Sequence, residues 1–426
     1  MSRTLPTAWR PLDAVVSVPG SKSIANRALV CAALADGRSQ LSNVPPGEDT
    51  IAMLDCLAAL GVRLGEDDAD VTVEGSGGAL LPREGRLDAR LAGTTSRFVT
   101  ALAALSPSPV TIDGAPPLRR RPMKPLHDAL AALGVDVQPG GEPGHLPVTV
   151  TGPLTRGGEL TLPGDVSSQY LTALMLIGPL LEGGLRVALT TPLISRPYVE
   201  LTVTVMAAFG VHGVLVGDRE VVVPEGRYGA ARYAVEPDAS TASYPLGMAA
   251  VVGGRVEVLG LHSSSAQGDV RFADLLGRMG CTVVDGPEGI GVERDRNVAL
   301  DGIDVDLADA SDLVPTLAAV AATASTATTI AGVGFIRRKE SDRLSDLATE
   351  LNKTGARVEV LAEGLRISPS PRLHGAVLES HDDHRLAMAF GVLGSAVSGI
   401  EVRDPGVVAK SWPDFWTVRD ALLSTT

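Results

Sequence analysis

The strongest constraint on the fold is a junction that recurs along the chain. Five times an apolar helical stretch runs into a glycine and then into alternating strand-like residues: LAALGVRL, LAALGVDV, MAAFGVHGVLV, GRMGCTVV and NKTGARVEV. The glycines are Gly61, Gly134, Gly210, Gly280 and Gly355, at steps of 73, 76, 70 and 75 residues. Glycine accepts the left-handed backbone just past a helix C-terminus, and period-two alternation after it suits a strand. A second pattern, a turn, a short alternating strand and a loop leading into a helix, occurs six times: ADGRSQLSNV, SPSPVTIDGA, LEGGLRVALTT, VGGRVEVLGL, STATTIAGVG and VSGIEVRDPG. Any α/β protein alternates strands and helices, but near-constant spacing asks for more. It predicts six α/β units, three to a domain, and a chain of 426 residues is long enough for two domains.

Equivalent loops of stacked units fall at equivalent ends, so the residues in those loops matter. They are Glu48 and Asp49; Arg119, Arg120 and Arg121; Ser195, Arg196 and Tyr198; Gln267 and Asp269; Arg337, Arg338, Lys339, Glu340, Asp342 and Arg343; and Lys410 and Ser411. Charges recurring in the same loop of each unit are expected to face a common ligand space between the domains. The net charge of −13 argues against a nucleic-acid holder, so bound anions must meet local cations within an acidic whole. No apolar run is long enough for a membrane span and the first residues lack a signal-peptide core, so a cytoplasmic setting is expected. Cys31, Cys56 and Cys281 are far apart and set among small or apolar residues, the pattern of buried free thiols rather than a disulfide or zinc site.

Five segments carry the chemistry. VPGSKS lacks the upstream glycine of a nucleotide-hydrolase phosphate loop and reads as a helix N-terminus capped by Ser21 or Ser23. Lys22 and Arg27 oppose the helix dipole there, which suits an anion site, though a plain cap remains open. PGDVSSQY offers Ser167, Ser168 and Gln169 at another helix start, again as anion donors or as a cap. LAGTTSRF places Gly93 where backbone can approach a ligand or simply turn. In FIRRKESDRLSDLATEL, Lys339 and Arg343 fall four apart, on one face of an expected helix, with Glu340 between cations that could hold it or release it as an acid. SHDDHRLAMAF lacks metal-ligand spacing and reads as an anion site at Arg385, with Asp383 orienting His384. Lys22, Arg27, Arg121, Lys339, Arg343, Arg385 and Lys410 together imply a polyanionic small substrate, or two anions bound at once.

The ordered segments PGSKSIANRA, AGTTSRF, RRRPMKPL, SSQYLTAL, SRPY, EPDASTASY, QGDVRFADLL, RRKESDRL, DDHRLAMAF and AKSWPDF resemble the 5-enolpyruvylshikimate-3-phosphate synthase family of enolpyruvyl transferases. The resemblance implies an α/β fold of two similar domains, each of three βαβαββ units. One domain would be discontinuous, residues 1–19 with 237–426, and the other, 20–236, would be inserted in it. It also implies transfer of the enolpyruvyl group of phosphoenolpyruvate to shikimate 3-phosphate, with glyphosate as inhibitor, no metal and no cofactor. The chain would act as a monomer, with no nucleic-acid or membrane partner. By position, Lys22, Ser23, Arg27, Ser167, Ser168, Gln169, Ser195, Asp312 and Lys339 would bind shikimate 3-phosphate. Lys22, Gly93, Arg121, Gln169, Arg343, Arg385 and Lys410 would bind phosphoenolpyruvate, with Asp312 as base, Glu340 as proton donor and Lys22 at both substrates.

Leu91, Phe98 and Phe335 depart from the family pattern and bear on the finer shape of the site. The related transferase acting on UDP-N-acetylglucosamine shares the six-unit fold, but usually carries a reactive cysteine in the loop corresponding to Arg119–Pro122. No cysteine lies near that loop here. A catalytically dead relative would have lost the acid or the base, and both Asp312 and Glu340 are present.

Overall fold

A computed structural model describes residues 1–67, 70–370 and 372–424. Residues 68 and 69 of the 20–236 segment, and 371, 425 and 426 of the 237–426 segment, lie outside the described residues. The backbone divides into two compact units, Gly20–Glu236 and Met1–Pro19 with Pro237–Thr426.

One topology repeats within both units. In Gly20–Glu236, strand Arg86–Asp88 runs parallel to Val110–Asp113, which is antiparallel to Val148–Thr151, itself antiparallel to Asp136–Pro139. Helix Gly93–Ala103 joins Arg86–Asp88 to Val110–Asp113 and Lys124–Ala132 joins Val110–Asp113 to Asp136–Pro139, a βαβαββ unit. Arg156–Leu162, Glu182–Leu189, Glu220–Val223 and Leu215–Val216 repeat the order. So do Arg38–Ser42, Asp70–Glu74 and Arg63–Asp67, whose parallel partner Arg232–Ala234 arrives from the far end of the unit.

In the other unit the sheet of Asp304–Asp306, Thr328–Ala331, Gly364–Ser368 and Arg357–Leu361 has the same order. There Leu12–Val16 supplies the parallel strand to Gly254–Leu259, and Ser2–Thr4 completes a three-stranded sheet with Glu401–Arg403 and Val377–Leu378. The amino-terminal segment thus belongs to two sheets of a unit whose remainder begins at Pro237, and the unit is discontinuous for that reason. All five junction glycines have positive φ, between 82° and 101°, the conformation that a Cβ would strain.

The first helix of each repeat is buried on almost every side, and most of these helices are rich in Ala, Leu and Val. These helices are Lys22–Leu34, Gly93–Ala103 and Ser168–Ile177 in one unit. In the other they are Ala239–Val252, Val314–Ala321 and His384–Ala396. Each fully buried leucine on them, such as Leu29, contributes about 1.5–3 kcal/mol of transfer free energy. The second helices are two-faced: Ser345–Lys353 buries Leu347, Ala348, Glu350 and Leu351. Helix starts of the buried set meet within each unit: Gln169 Nε2 donates to Thr94 Oγ1 at 3.1 Å, and Arg385 Nη2 to Asp312 Oδ2 at 2.8 Å. Unsatisfied N–H groups and the positive ends of helix dipoles therefore gather at one end of each unit. Among the described residues, no helix is long and apolar enough to cross a membrane.

Candidate active site

In Gly20–Glu236, Lys22 opens its helix and donates to Asp49 Oδ2 at 2.8 Å, and the Asp49 carbonyl accepts from Thr95 Oγ1 at 3.1 Å. Ser21 occupies the N-cap position but makes no side-chain cap, so the capping alternative for this segment is not realised through Ser21. Arg27 is buried and spends its donors on neutral groups: Thr202 Oγ1 at 2.8 Å, the Ser23 carbonyl at 2.7 Å, the Tyr198 carbonyl at 3.1 Å and Thr172 Oγ1 at 3.5 Å. With no carboxylate among these partners, burial dominates and lowers its pKa to about 10.

Gly93 begins the next helix beneath two guanidinium groups. A Cβ there would lie 2.5 Å from Nη1 of both Arg121 and Arg97. Arg97 is buried, donates to the Pro122 carbonyl at 3.3 Å and sits over the Tyr170 ring. The structure sorts the RRR run. Arg119 is tied to Asp113 by two bonds of 2.8 and 2.7 Å, Arg120 is exposed, and Arg121 reaches Gly93. Ser167 caps the third helix, accepting from Gln169 N–H at 3.3 Å; Ser168 is buried, and the buried Gln169 Oε1 has no hydrogen-bond partner. Ser195, also buried, takes a left-handed backbone with φ 56° at the start of Arg196–Ala208. A strained, buried, non-glycine hydroxyl at a helix start is the kind of outlier that marks a working site.

The other unit gathers a denser cluster. Asp312 accepts from Lys339 Nζ at 2.8 Å, Arg343 Nη1 at 2.9 Å and Arg385 Nη2 at 2.8 Å. Burial raises its proton affinity, yet Arg385, Lys339 and Arg343 outweigh that and hold the carboxyl well below the usual range. Lys339 also donates to Ser311 Oγ at 2.9 Å, and burial lowers its pKa despite Asp312. Glu340 lies between Arg343 Nη2 at 2.9 Å and Lys410 Nζ at 3.3 Å. Arg343 is 1% exposed and is the hub. Besides Asp312 and Glu340 it donates through Nε to Asp383 Oδ2 at 2.7 Å, and its pKa is pushed up by Asp383, Glu340 and Asp312 against the cost of burial. Next to this group Asp269 is buried against the Ser240 hydroxyl, and burial, then Asp312, raise its pKa to about 6. Among the described residues, no three His, Cys, Asp or Glu side chains form a metal-binding group.

Two local expectations change. Residues 339–343 do not form one helical face, because the short 3-10 helix Gly334–Arg338 stops there and the α-helix begins at Ser345. Asp342 causes the break: its carboxylate takes the N–H groups of Leu344 and Ser345 at 3.2 and 3.1 Å and the Ser345 hydroxyl at 2.7 Å. Lys339 and Arg343 nevertheless meet, on the same oxygen of Asp312. Nor does Asp383 orient His384, whose Nδ1 is 3.6 Å away. Asp383 is spent on Arg343 and on the Arg385 N–H at 2.9 Å, as cap of His384–Ala396. The reading by loops noted Asp49 and Asp269 without a role; their partners are 27 and 29 residues away along the chain, beyond any local signal.

A family model for EPSP synthase (3-phosphoshikimate 1-carboxyvinyltransferase) matches residues 6–418. The chain belongs to the EPSP synthase family. Among its relatives, the 3-phosphoshikimate 1-carboxyvinyltransferase of Trichormus variabilis is 42% identical over 419 residues, 97% of either chain. The enzyme of that name from Methanoculleus marisnigri is 44% identical over 409 residues, 95% of this chain and 96% of the relative. The solved EPSP synthase of Acinetobacter baumannii superimposes with a TM-score of 0.83 at 27% identity, covering 99% of this chain and 98% of that one. The mixed α/β architecture of this family member is the one its repeats imply.

Proposed function

We propose that this transferase moves the enolpyruvyl group of phosphoenolpyruvate to the 5-hydroxyl of shikimate 3-phosphate, releasing phosphate, on the shikimate route to chorismate and the aromatic amino acids. The observation that carries the reading is the convergence of Lys339, Arg343 and Arg385 on Asp312, with Glu340 held beside them, in a chain matched to this family almost end to end. Each substrate carries a phosphate and a carboxylate, so the pair needs clustered, preorganised cations.

The residues divide the work by what they can donate. Ser23, Arg27, Ser167, Ser168, Ser195, Lys339 and Asp312 would bind shikimate 3-phosphate. Gly93, Arg121, Arg343, Arg385 and Lys410 would hold phosphoenolpyruvate, and Lys22 and Gln169 would touch both. Asp312 takes the 5-hydroxyl proton as the oxygen bonds to C2, and Glu340 gives a proton to C3. Loss of that C3 proton with cleavage of the C2–O bond to phosphate then restores the enol ether. Asp312 is a weak base while Lys339, Arg343 and Arg385 hold it. A substrate anion competes for those donors, and each one drawn away returns proton affinity to the carboxylate. Only protons and a C–O bond move, so the chemistry calls for neither metal nor cofactor. Glyphosate would inhibit as a mimic of phosphoenolpyruvate. The setting would be the cytoplasm, with the chain a monomer.

The test is phosphate release from phosphoenolpyruvate with either shikimate 3-phosphate or UDP-N-acetylglucosamine. Release with the first alone is expected; release with the sugar nucleotide alone would overturn the reading.

A further inference from the structure

A strained turn connects a residue outside the cluster to the cations within it. In Ser380–Asp383 the two central residues both have positive φ, 52° at His381 and 56° at Asp382, and Asp383 N–H closes the turn on the Ser380 carbonyl at 2.9 Å. Turns with two left-handed central residues are normally filled by Asn-Gly or Gly-Gly, because a Cβ resists that backbone. Here the pair is His-Asp, so the surroundings must hold the turn.

His381 provides the hold. Its Nε2 lies 2.9 Å from Glu350 Oε1 and its Nδ1 3.7 Å from Asp346 Oδ1. Glu350, 1% exposed on helix Ser345–Lys353, also accepts from Lys353 Nζ at 2.6 Å and from Glu379 N–H at 2.9 Å. Burial pushes the Glu350 carboxyl up, but the bonds from Lys353 and His381 prevail and keep it below its usual range. A carboxylate only accepts, so His381 Nε2 carries the proton in this bond. The turn then delivers Asp383, whose carboxylate fixes Arg343 and caps the helix that presents Arg385.

We propose that His381 is a positioning residue. By pinning the strained turn to Glu350 it sets the Asp383 carboxylate, and through it the guanidinium groups of Arg343 and Arg385 that meet phosphoenolpyruvate. The assignment of that substrate rests on the function proposed above. Three variants of the full chain test the inference: His381→Ala, His381→Gln, and His381→Ala combined with Asp382→Gly. His381→Ala raises KM for phosphoenolpyruvate about tenfold by misplacing the cations, and leaves KM for shikimate 3-phosphate within about twofold. Glutamine can place an N–H where Nε2 stands and restores the wild-type KM. Glycine at 382 adopts the left-handed backbone without strain, makes the anchor unnecessary, and recovers most of the loss.

Amide exchange gives a readout independent of turnover. The Asp383 and Arg385 N–H groups exchange faster in His381→Ala and slow again in the double variant. An unchanged KM for phosphoenolpyruvate with unchanged exchange in His381→Ala overturns the inference, as does an equal rise in both KM values, the mark of a merely structural role. A wild-type protein that releases no phosphate with shikimate 3-phosphate sinks the functional reading instead, and exchange at Asp383 then decides the anchor alone.

Discussion

Replacing Asp383 by asparagine should separate the two jobs that this wholly buried carboxylate performs. It accepts from Arg343 Nε at 2.7 Å, Arg343 Nη2 at 3.3 Å and Ser341 Oγ at 3.3 Å, and it caps a helix through the Arg385 N–H at 2.9 Å. Asparagine caps as well as aspartate, so the cap survives; what disappears is the charge opposite Arg343. Stranding a buried arginine altogether costs about 3–5 kcal/mol. Arg343 keeps Asp312 and Glu340, each at 2.9 Å, so the loss should be nearer the value of one charged hydrogen bond, about 2–3 kcal/mol. Asp383→Ala removes the cap too and should cost about 1 kcal/mol more. Urea unfolding followed by tryptophan fluorescence is the assay, because Trp9, Trp412 and Trp416 all lie in the unit that contains Asp383. A lower midpoint at constant m is expected. An Asp383→Asn protein with the wild-type midpoint would show that Arg343 does not depend on this carboxylate, and the hub description would fall.

Three other perturbations follow from the geometry. In Gly93→Ala the new methyl group must displace Arg121, whose side chain is flexible and partly exposed, more readily than the buried Arg97. We expect KM for phosphoenolpyruvate to rise about tenfold and glyphosate inhibition to weaken with stability nearly unchanged, and unaltered inhibition would refute it. Ser195→Gly relieves a left-handed backbone, so it should raise the thermal midpoint while weakening shikimate 3-phosphate, and a fall in both would contradict the strain argument. His127 is buried with no partner at Nε2, and burial, against Asp128, lowers its pKa to about 4 from 6.5. The unfolded chain therefore binds the proton first, and stability falls by about 3 kcal/mol as pH drops from 6.5 through 4. His127→Leu should flatten that part of the stability–pH curve measured by circular dichroism; an identical slope would rule the residue out.

The repeat was legible because its marks are local: one glycine past each helix and one alternating strand before each loop. Partners distant in sequence were not. Nothing in RYA at 232–234 announces that it pairs with Arg38–Ser42, or in SRT at 2–4 that it pairs with Glu401–Arg403. The same limit runs through the site. Loops and motifs singled out cations and acids by type, and Asp312 came only with the family resemblance. Glu340 and Arg343 are near neighbours, but other pairings join residues 27 to 73 apart, such as Lys22 with Asp49 and Arg385 with Asp312. Composition could not choose among Arg119, Arg120 and Arg121 either; Asp113 at the end of its strand makes that choice by capturing Arg119.

Those pairings also explain why so basic a site sits in a chain of net charge −13. Burying a guanidinium as deeply as that of Arg343 is costly without a counter-charge, and the protein provides Asp312, Glu340 and Asp383 for it, Glu340 for Lys410 and Asp49 for Lys22. Arg27, surrounded instead by hydroxyls and carbonyls, is the contrast: its pKa falls while that of Arg343 rises. Under the function proposed above, the acids assigned as base and proton donor, Asp312 and Glu340, would double as stand-ins for the substrates' phosphates and carboxylates. On that proposal binding would be an exchange of one set of anions for another, and the same exchange would turn Asp312 from a clamped counter-ion into a base.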